Sequence, residues 1–411
     1  MYSRNIIGRV RAALADTRVV LLNGARQVGK STLAQQLAQE RGGRYLTLDD
    51  PAVAGLAHAD PSALVQAAGD FTVIDEVQRA PEIFPALKRE VDRNPVPGRF
   101  LLTGSANVFL LPKVSESLAG RMEVLTLHPL SQAEVQGSAH NLIDAVFSAA
   151  PWTARTVLTD RADLVRRLSA SGFPEALSRT DPQRRAAWFH AYLASLLQRD
   201  VRDYTNIEGL SDVPRLLSLL AARSGTLMNM AEVSRSAGIP HSTLRRYLAL
   251  LEALFILQPL PAWSANLGKR LVKAPKVHLL DSGLAANLQG QTDPDALLLS
   301  PYLGALLETF AIQELRRHLS WAKTAATAWH YRTVSGREVD LVLESPGRGI
   351  VGVEIKASAT IARGDFSGLQ DLAASTGAPF VRGVLVYTGD QLLPFGDRMW
   401  AVPIGAFWAG P

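Results

Sequence analysis

The stretch "LLNGARQVGKST", residues 21–32, passes from an apolar run through two glycines to a lysine followed by two hydroxyls. Its inner part, Gly24 to Ser31, matches the spacing G-x-x-x-x-G-K-[ST] at every fixed position. "RVVLLNG" before it reads as a short buried strand, and "KSTLAQQLAQE" after it has helical spacing. That order predicts a loop folded around phosphates rather than a strand that simply ends in a turn. Gly24 and Gly29 let the backbone curl, so that the N–H groups along Ala25, Arg26, Gln27 and Val28 turn inward. The helix N-terminus adds the positive end of its dipole. Lys30 then reaches the β- and γ-phosphates of ATP, and the Ser31 hydroxyl ligates magnesium. Thr32 is the next hydroxyl and a weaker phosphate contact.

"FTVIDEVQ", residues 71–78, sets an apolar strand before two adjacent acids. Two carboxylates at one strand end repel each other unless a cation lies beside them. Asp75 is therefore read as the magnesium holder and Glu76 as the group that polarises the attacking water. A third strand, "GRFLLTGSAN", ends in Thr103, Ser105 and Asn107, where strand carboxyl ends converge on a ligand in an open α/β sheet. Ser105 and Asn107 are candidates to sense the γ-phosphate. Arg121, in "ESLAGRME", is a candidate to stabilise transition-state charge in a neighbouring subunit.

"GARQVGKST", "FTVIDEVQ", "FLLTGSAN" and "SLAGR" together resemble a large bacterial and archaeal family of AAA-type P-loop ATPases. "SGFPEAL", "LQRDVRD" and "GREVDLVLE…VEIKAS" extend the likeness over nearly the whole chain. The resemblance implies ATP and magnesium as cofactors. It also implies a homo-oligomer, as large as a hexameric ring, whose neighbours complete each other's sites.

The remaining bounds are broad. A chain of 411 residues is expected to form two to four domains. The net charge of +5 and pI near 9.5 are compatible with nucleic acid as a partner. With 0 Cys there is neither a disulfide framework nor a thiolate metal site, which fits a reducing cytoplasm. "MYSRNIIGRVRAALADT" reads as an amphipathic helix, and no apolar run reaches the ~18 residues of a membrane span.

Residues 1–130 are read as the ATPase core. Residues 131–210 are rich in Ala, Leu and Arg at helical spacing and resemble the helical lid of AAA-type proteins. Residues 211–268 are read as a winged helix: "NMAEVSRSAGIPHSTLRRYL" predicts two helices joined by a turn at Gly238. His241, Thr243, Arg245 and Arg246 would head the recognition helix. Lys269 and Arg270, with Lys273 and Lys276, would form a basic wing against DNA.

Residues 269–411 raise a second chemistry. "TAWHYRTVSGREVDLVLESPGRGIVGVEIKAS" predicts three strands, with Asp340 on the second and Glu354 and Lys356 on one face of the third. Glu308 lies on a helix upstream. The set resembles the core of PD-(D/E)xK nucleases, which implies a restriction-endonuclease-like α/β domain. In it Glu308, Asp340 and Glu354 would hold metal, and Lys356 would orient water. The expected whole is a P-loop parallel sheet with a helical lid, then a winged helix, then the nuclease-like domain. Its expected activity is an ATPase coupled to DNA. The alternatives are a nucleotide-gated scaffold with an inactive C-terminus and an ATP-licensed nuclease.

Overall fold

The computed structural model describes residues 2–105, 118–150, 152–158, 160–204 and 210–410. Asn107 lies outside the described residues. The side chains at 199–204, 210, 267, 269 and 272 do as well, Arg199, Arg202 and Lys269 among them. The chain forms two units. One comprises Ser3–Leu130 with Ala253–Ile256, the other Ser131–Glu252 with Leu257–Pro411.

The first unit is built on strands β1 (Val19–Asn23), β2 (Arg44–Thr47), β3 (Thr72–Asp75), β4 (Phe100–Gly104) and β5 (Met122–Thr126). All pairings are parallel, in the order β2-β3-β4-β1-β5. β1, β3 and β4 are buried along their whole length, as expected when helices cover both faces of a parallel sheet. On one face, Ile83, Phe84, Leu87 and Val91 of the helix Ile83–Arg93 pack against Leu21, Ile74 and Leu102. The carboxyl ends of β1, β3 and β4 therefore lie along one edge, and the acids and hydroxyls of the sequence motifs are carried there.

The second unit opens with the helices Gln132–Val135 and Leu142–Phe147, followed by β6 (Arg155–Thr156), and continues through the helices Arg161–Ala170, Pro182–Tyr204 and Val213–Ala222. β7 (Thr226–Leu227) leads into the helices Met230–Ala237 and His241–Ala253. The turn between them places Gly238 at φ 69°, the left-handed region that favours glycine. β8 (Leu257–Leu260) and β9 (Lys276–Leu279) complete an antiparallel three-stranded sheet with β9 at its centre.

The helix Leu303–Leu319 then precedes β10 (Thr327–Arg332), β11 (Glu338–Ser345) and β12 (Gly349–Lys356). The helix Ser367–Thr376 crosses over to β13 (Phe380–Tyr387), which pairs parallel with β12. β14 (Gln391–Pro394) and β15 (Met399–Pro403) finish a sheet of order β10-β11-β12-β13-β15-β14-β6.

The presence of β6 in that sheet departs from the expected lid. Leu142, Ile143, Val146, Phe147, Leu164 and Leu168 belong to one core with Leu307, Phe310, Leu341 and Val353. Much of 131–170 thus serves to cover the C-terminal sheet. Helical spacing predicts helices over this stretch but does not name what buries them. "SGFPEAL", which leads from the helix Arg161–Ala170 into the helix Pro174–Leu177, is tied to a distant segment of the same unit. The Gly172 N–H donates to Asp281 Oδ2 at 2.8 Å, and a Cβ on Gly283 would meet Ser171.

Three histidines of this unit, His278, His318 and His330, are buried. Burial pulls His278 well below the ordinary histidine value, His318 to about 3 and His330 to about 4. Their neutral forms are built in; His318 Nδ1, for instance, accepts the Leu142 N–H at 2.9 Å. A depressed folded pKa gives stability that is complete above the unfolded value of 6.5 and is lost as pH falls toward 4 and 3. Calorimetry is therefore expected to show the melting temperature of this unit falling steadily from about pH 6.5 to about pH 4.

Candidate functional site

β1 ends at Asn23, and the loop that follows uses the conformational freedom of its glycines. Gly24 has φ 143° and Gly29 φ 98°. A Cβ at Gly24 would collide with the Leu127 carbonyl, so only glycine permits that approach. Gln27 also takes a positive φ, 60°. The helix Lys30–Glu40 starts directly afterwards, with Gly29 as its cap. The Lys30 ammonium is buried and donates to the carbonyls of Gly24 at 3.0 Å and Ala25 at 2.8 Å. Arg4 holds the loop from outside, donating to Val28 O at 2.7 Å and His128 O at 2.6 Å. No pattern in the sequence signals that arginine.

Ser31 and Asp75 meet: the serine hydroxyl donates to Asp75 Oδ1 at 3.1 Å. Asp75 is only 3% exposed, and its donors among the described residues are hydroxyls. Thr103 also donates to Oδ1, and Tyr45 to Oδ2 at 2.6 Å. Burial, reinforced by that hydrogen bond, raises the Tyr45 pKa well above its ordinary range, so the phenol remains a donor. A buried carboxylate served by neutral, rotatable hydroxyls fits magnesium, which Ser31 and Asp75 would hold. Thr32 is exposed beside them.

Glu76 occupies a left-handed conformation at φ 60°, uncommon for a side chain with a Cβ. Its carboxylate accepts from Gln78 Nε2 and from Ser105 Oγ, the latter at 3.3 Å. Gln78 Nε2 in turn donates to Ser105 Oγ at 2.8 Å. Ser105 and Glu76 are thereby brought together, and Gln78, two residues on in "DEVQ", is a member that sequence reasoning missed. Arg121 is engaged elsewhere, in a two-pronged pair with Asp92 at 2.5 and 3.0 Å. Delivery to a neighbouring subunit would require it to break that pair.

In the second unit Asp340 on β11 and Glu354 and Lys356 on β12 adjoin, and Glu308 reaches them from the helix Leu303–Leu319. Asp340 Oδ2 accepts the Ile355 N–H at 2.9 Å, and Lys356 Nζ donates to Glu354 Oε1 at 2.9 Å. Burial, then the charge of Asp340, raises Glu354 to about 7 and raises Glu308 as well. The centre of the group is occupied by Lys276, expected on the wing. Its ammonium lies 2.9 Å from Glu308 Oε1, 2.9 Å from Asp340 Oδ1 and 2.5 Å from Glu338 Oε1. Among the described residues no group of three or more His, Asp or Glu side chains is arranged to hold a metal ion. The expected ligands therefore fit a resident ammonium rather than a metal.

Of the other expected wing cations, Lys273 is exposed, donating to Arg332 O at 3.1 Å, whereas Arg270 is also turned inward. It forms a bidentate pair with Glu344 at 2.6 and 2.9 Å and stacks over Trp263 and Trp329. With its side chain 10% exposed, it is unavailable to a phosphate backbone. His241, Arg245 and Arg246 are exposed on the helix after the Gly238 turn, and Thr243 is half-buried there.

The parallel sheet, the glycine loop after β1 and the Ser31–Asp75 pair define a P-loop NTPase core of the AAA type. The AAA domain family matches residues 16–136, and two domains of unknown function, DUF8612 and DUF4143, match residues 161–295 and 303–407. Over 402 residues the chain is 33% identical to the uncharacterised protein Rv2008c of Mycobacterium tuberculosis, spanning 97% of this chain and 83% of that one. The uncharacterised protein Mb2031c of Mycobacterium bovis matches with the same figures. The chain belongs to the family of these mycobacterial proteins.

Among solved structures, the Thermotoga maritima RuvB Holliday junction branch migration motor is 19% identical, over 62% of this chain and 89% of that chain, with a TM-score of 0.32. AMPPCP-bound DnaA from Aquifex aeolicus is 13% identical, over 60% and 86%, with a TM-score of 0.30. Likenesses at those scores carry no argument about activity. Among the described residues no helix is long and apolar enough to cross a membrane.

Proposed function

We propose that the protein is a magnesium-dependent ATPase whose cycle is coupled to DNA. The observation that carries the reading is the convergence of Lys30, Ser31, Asp75 and Glu76 on one edge of a parallel sheet. The loop N–H groups and the helix N-terminus cradle the phosphates, and Lys30 exchanges the carbonyls of Gly24 and Ala25 for phosphate oxygens. Ser31 and Asp75 would hold magnesium, which would supply charge neutralisation to the bound phosphates. Glu76 orients the attacking water, and Gln78 and Ser105 set where its carboxylate points. The helix pair around Gly238 with the three-stranded sheet reads as a winged helix, presenting His241, Thr243, Arg245 and Arg246 to DNA. The C-terminal sheet, with its preceding helix and crossover, reads as a nuclease-like fold. Assembly into a ring, with Arg121 completing a neighbour's site, accompanies this reading.

Phosphate release in the presence of duplex DNA tests the coupling. DNA is expected to stimulate turnover, and Arg245→Ala with Arg246→Ala to remove the stimulation while leaving the basal rate intact. Undiminished stimulation in the double variant would remove DNA contact from this helix.

A further inference from the structure

We propose that the Lys276 ammonium is a built-in cation occupying the place that a divalent metal takes in the C-terminal acidic cluster, so that this domain recruits no metal there. The proposal rests on the nuclease-like reading of the fold and concerns which cation that fold holds.

Glu308, Asp340, Glu354 and Lys356 are arranged on the helix and strands that the PD-(D/E)xK resemblance implies. Closely spaced buried carboxylates need positive charge among them. Here the chain provides its own. An ammonium has three donors, and Lys276 directs them to three carboxylates, those of Glu308, Glu338 and Asp340, with 3% of its side chain exposed. Burial alone would favour a neutral amine, but the charges of Asp340, Glu308 and Glu338 outweigh it and raise the Lys276 pKa above its ordinary value.

Withdrawal is opposed by the backbone. Lys276 is paired with Leu227 of β7 on one side and Leu260 of β8 on the other, so it belongs to a central strand rather than a swinging loop. A divalent cation entering beside Lys276 would meet a like charge at ligand distance. Glu354 keeps one buried oxygen, Oε2, without a hydrogen-bond partner among the described residues, and it would join the ligands once the ammonium is removed. The cluster is thus a masked divalent-cation site, and the domain holding it is suited to binding rather than to metal-dependent phosphodiester cleavage.

Manganese binding to the nucleotide-free full chain, followed by electron paramagnetic resonance, tests this. Wild type and Glu354→Gln are expected to bind equal numbers of Mn2+. Lys276→Met is expected to gain about one Mn2+ per chain, lost again when Asp340→Asn is added. Manganese bound by wild type and lost in Glu354→Gln would overturn the proposal, as would a folded Lys276→Met chain that gains none. Should Lys276→Met fail to melt cooperatively, the comparison of wild type with Glu354→Gln decides alone. ATP turnover measured on the same preparations reports the P-loop separately, so failure there is distinguishable from failure here.

Discussion

Glu76→Gln is expected to lower ATP turnover by about 100- to 10,000-fold while ATP still binds. The amide keeps the size of the carboxylate and can keep contact with Ser105, but it cannot take the proton from an attacking water. Lys30, Ser31 and Asp75, the proposed holders of phosphates and magnesium, are untouched by the change. Phosphate release measured beside binding of a fluorescent ATP analogue separates the two steps. Lys30→Ala should behave differently and weaken binding itself, because Lys30 is the ammonium proposed to meet the β- and γ-phosphates. Equal turnover by wild type and Glu76→Gln would assign the water to another residue.

The second large effect concerns the core of the second unit. Arg317 is buried between Asp281 and Glu314, donating to Asp281 Oδ2 at 2.9 Å and Glu314 Oε1 at 2.6 Å. The same acids accept the backbone N–H groups of Gly172 and Gln132, each at 2.8 Å. Arg317→Met removes the guanidinium and leaves two buried carboxylates to face each other. A loss of about 3–5 kcal/mol is expected, read as an earlier urea midpoint for the second unit. An unchanged midpoint would mean that water or a proton replaces the guanidinium without cost. The network ties "SGFPEAL", the "DSGL" turn at Asp281 and the helix Leu303–Leu319 together, which gives these separated sequence segments one structural purpose.

The geometry of the glycine loop was legible because its requirements are local. Gly24, Gly29, Lys30 and Ser31 lie within one turn, and the residue types state the backbone they require. Asp75 and Glu76 could be read because an acid pair after a buried strand needs a cation or a water to act on. Tyr45 could not, since its hydroxyl reaches Asp75 only because β2 and β3 run side by side. Arg4 likewise meets the loop at Val28, and the segment after β5 at His128, only through folding.

The second unit was harder to read for a related reason: sequence gives the charge of a residue but not its depth. Lys276 and Arg270 read as a basic wing, yet both turn inward, one to three carboxylates and the other to Glu344 and two tryptophans. Glu308, Asp340, Glu354 and Lys356 were placed on the right elements. The cation among them came from a strand some 30 residues before Glu308, where no spacing rule links it to the cluster. The helices at 142–147 and 161–170 show the same limit, with helical spacing legible and the partners that bury them not.

Steady-state phosphate release by the purified full chain, with magnesium and ATP, bears most directly on the central claim. The account predicts turnover that disappears on chelating magnesium, and is lost in both Lys30→Ala and Glu76→Gln. A wild-type chain that binds ATP but releases no phosphate, with or without DNA, would contradict it.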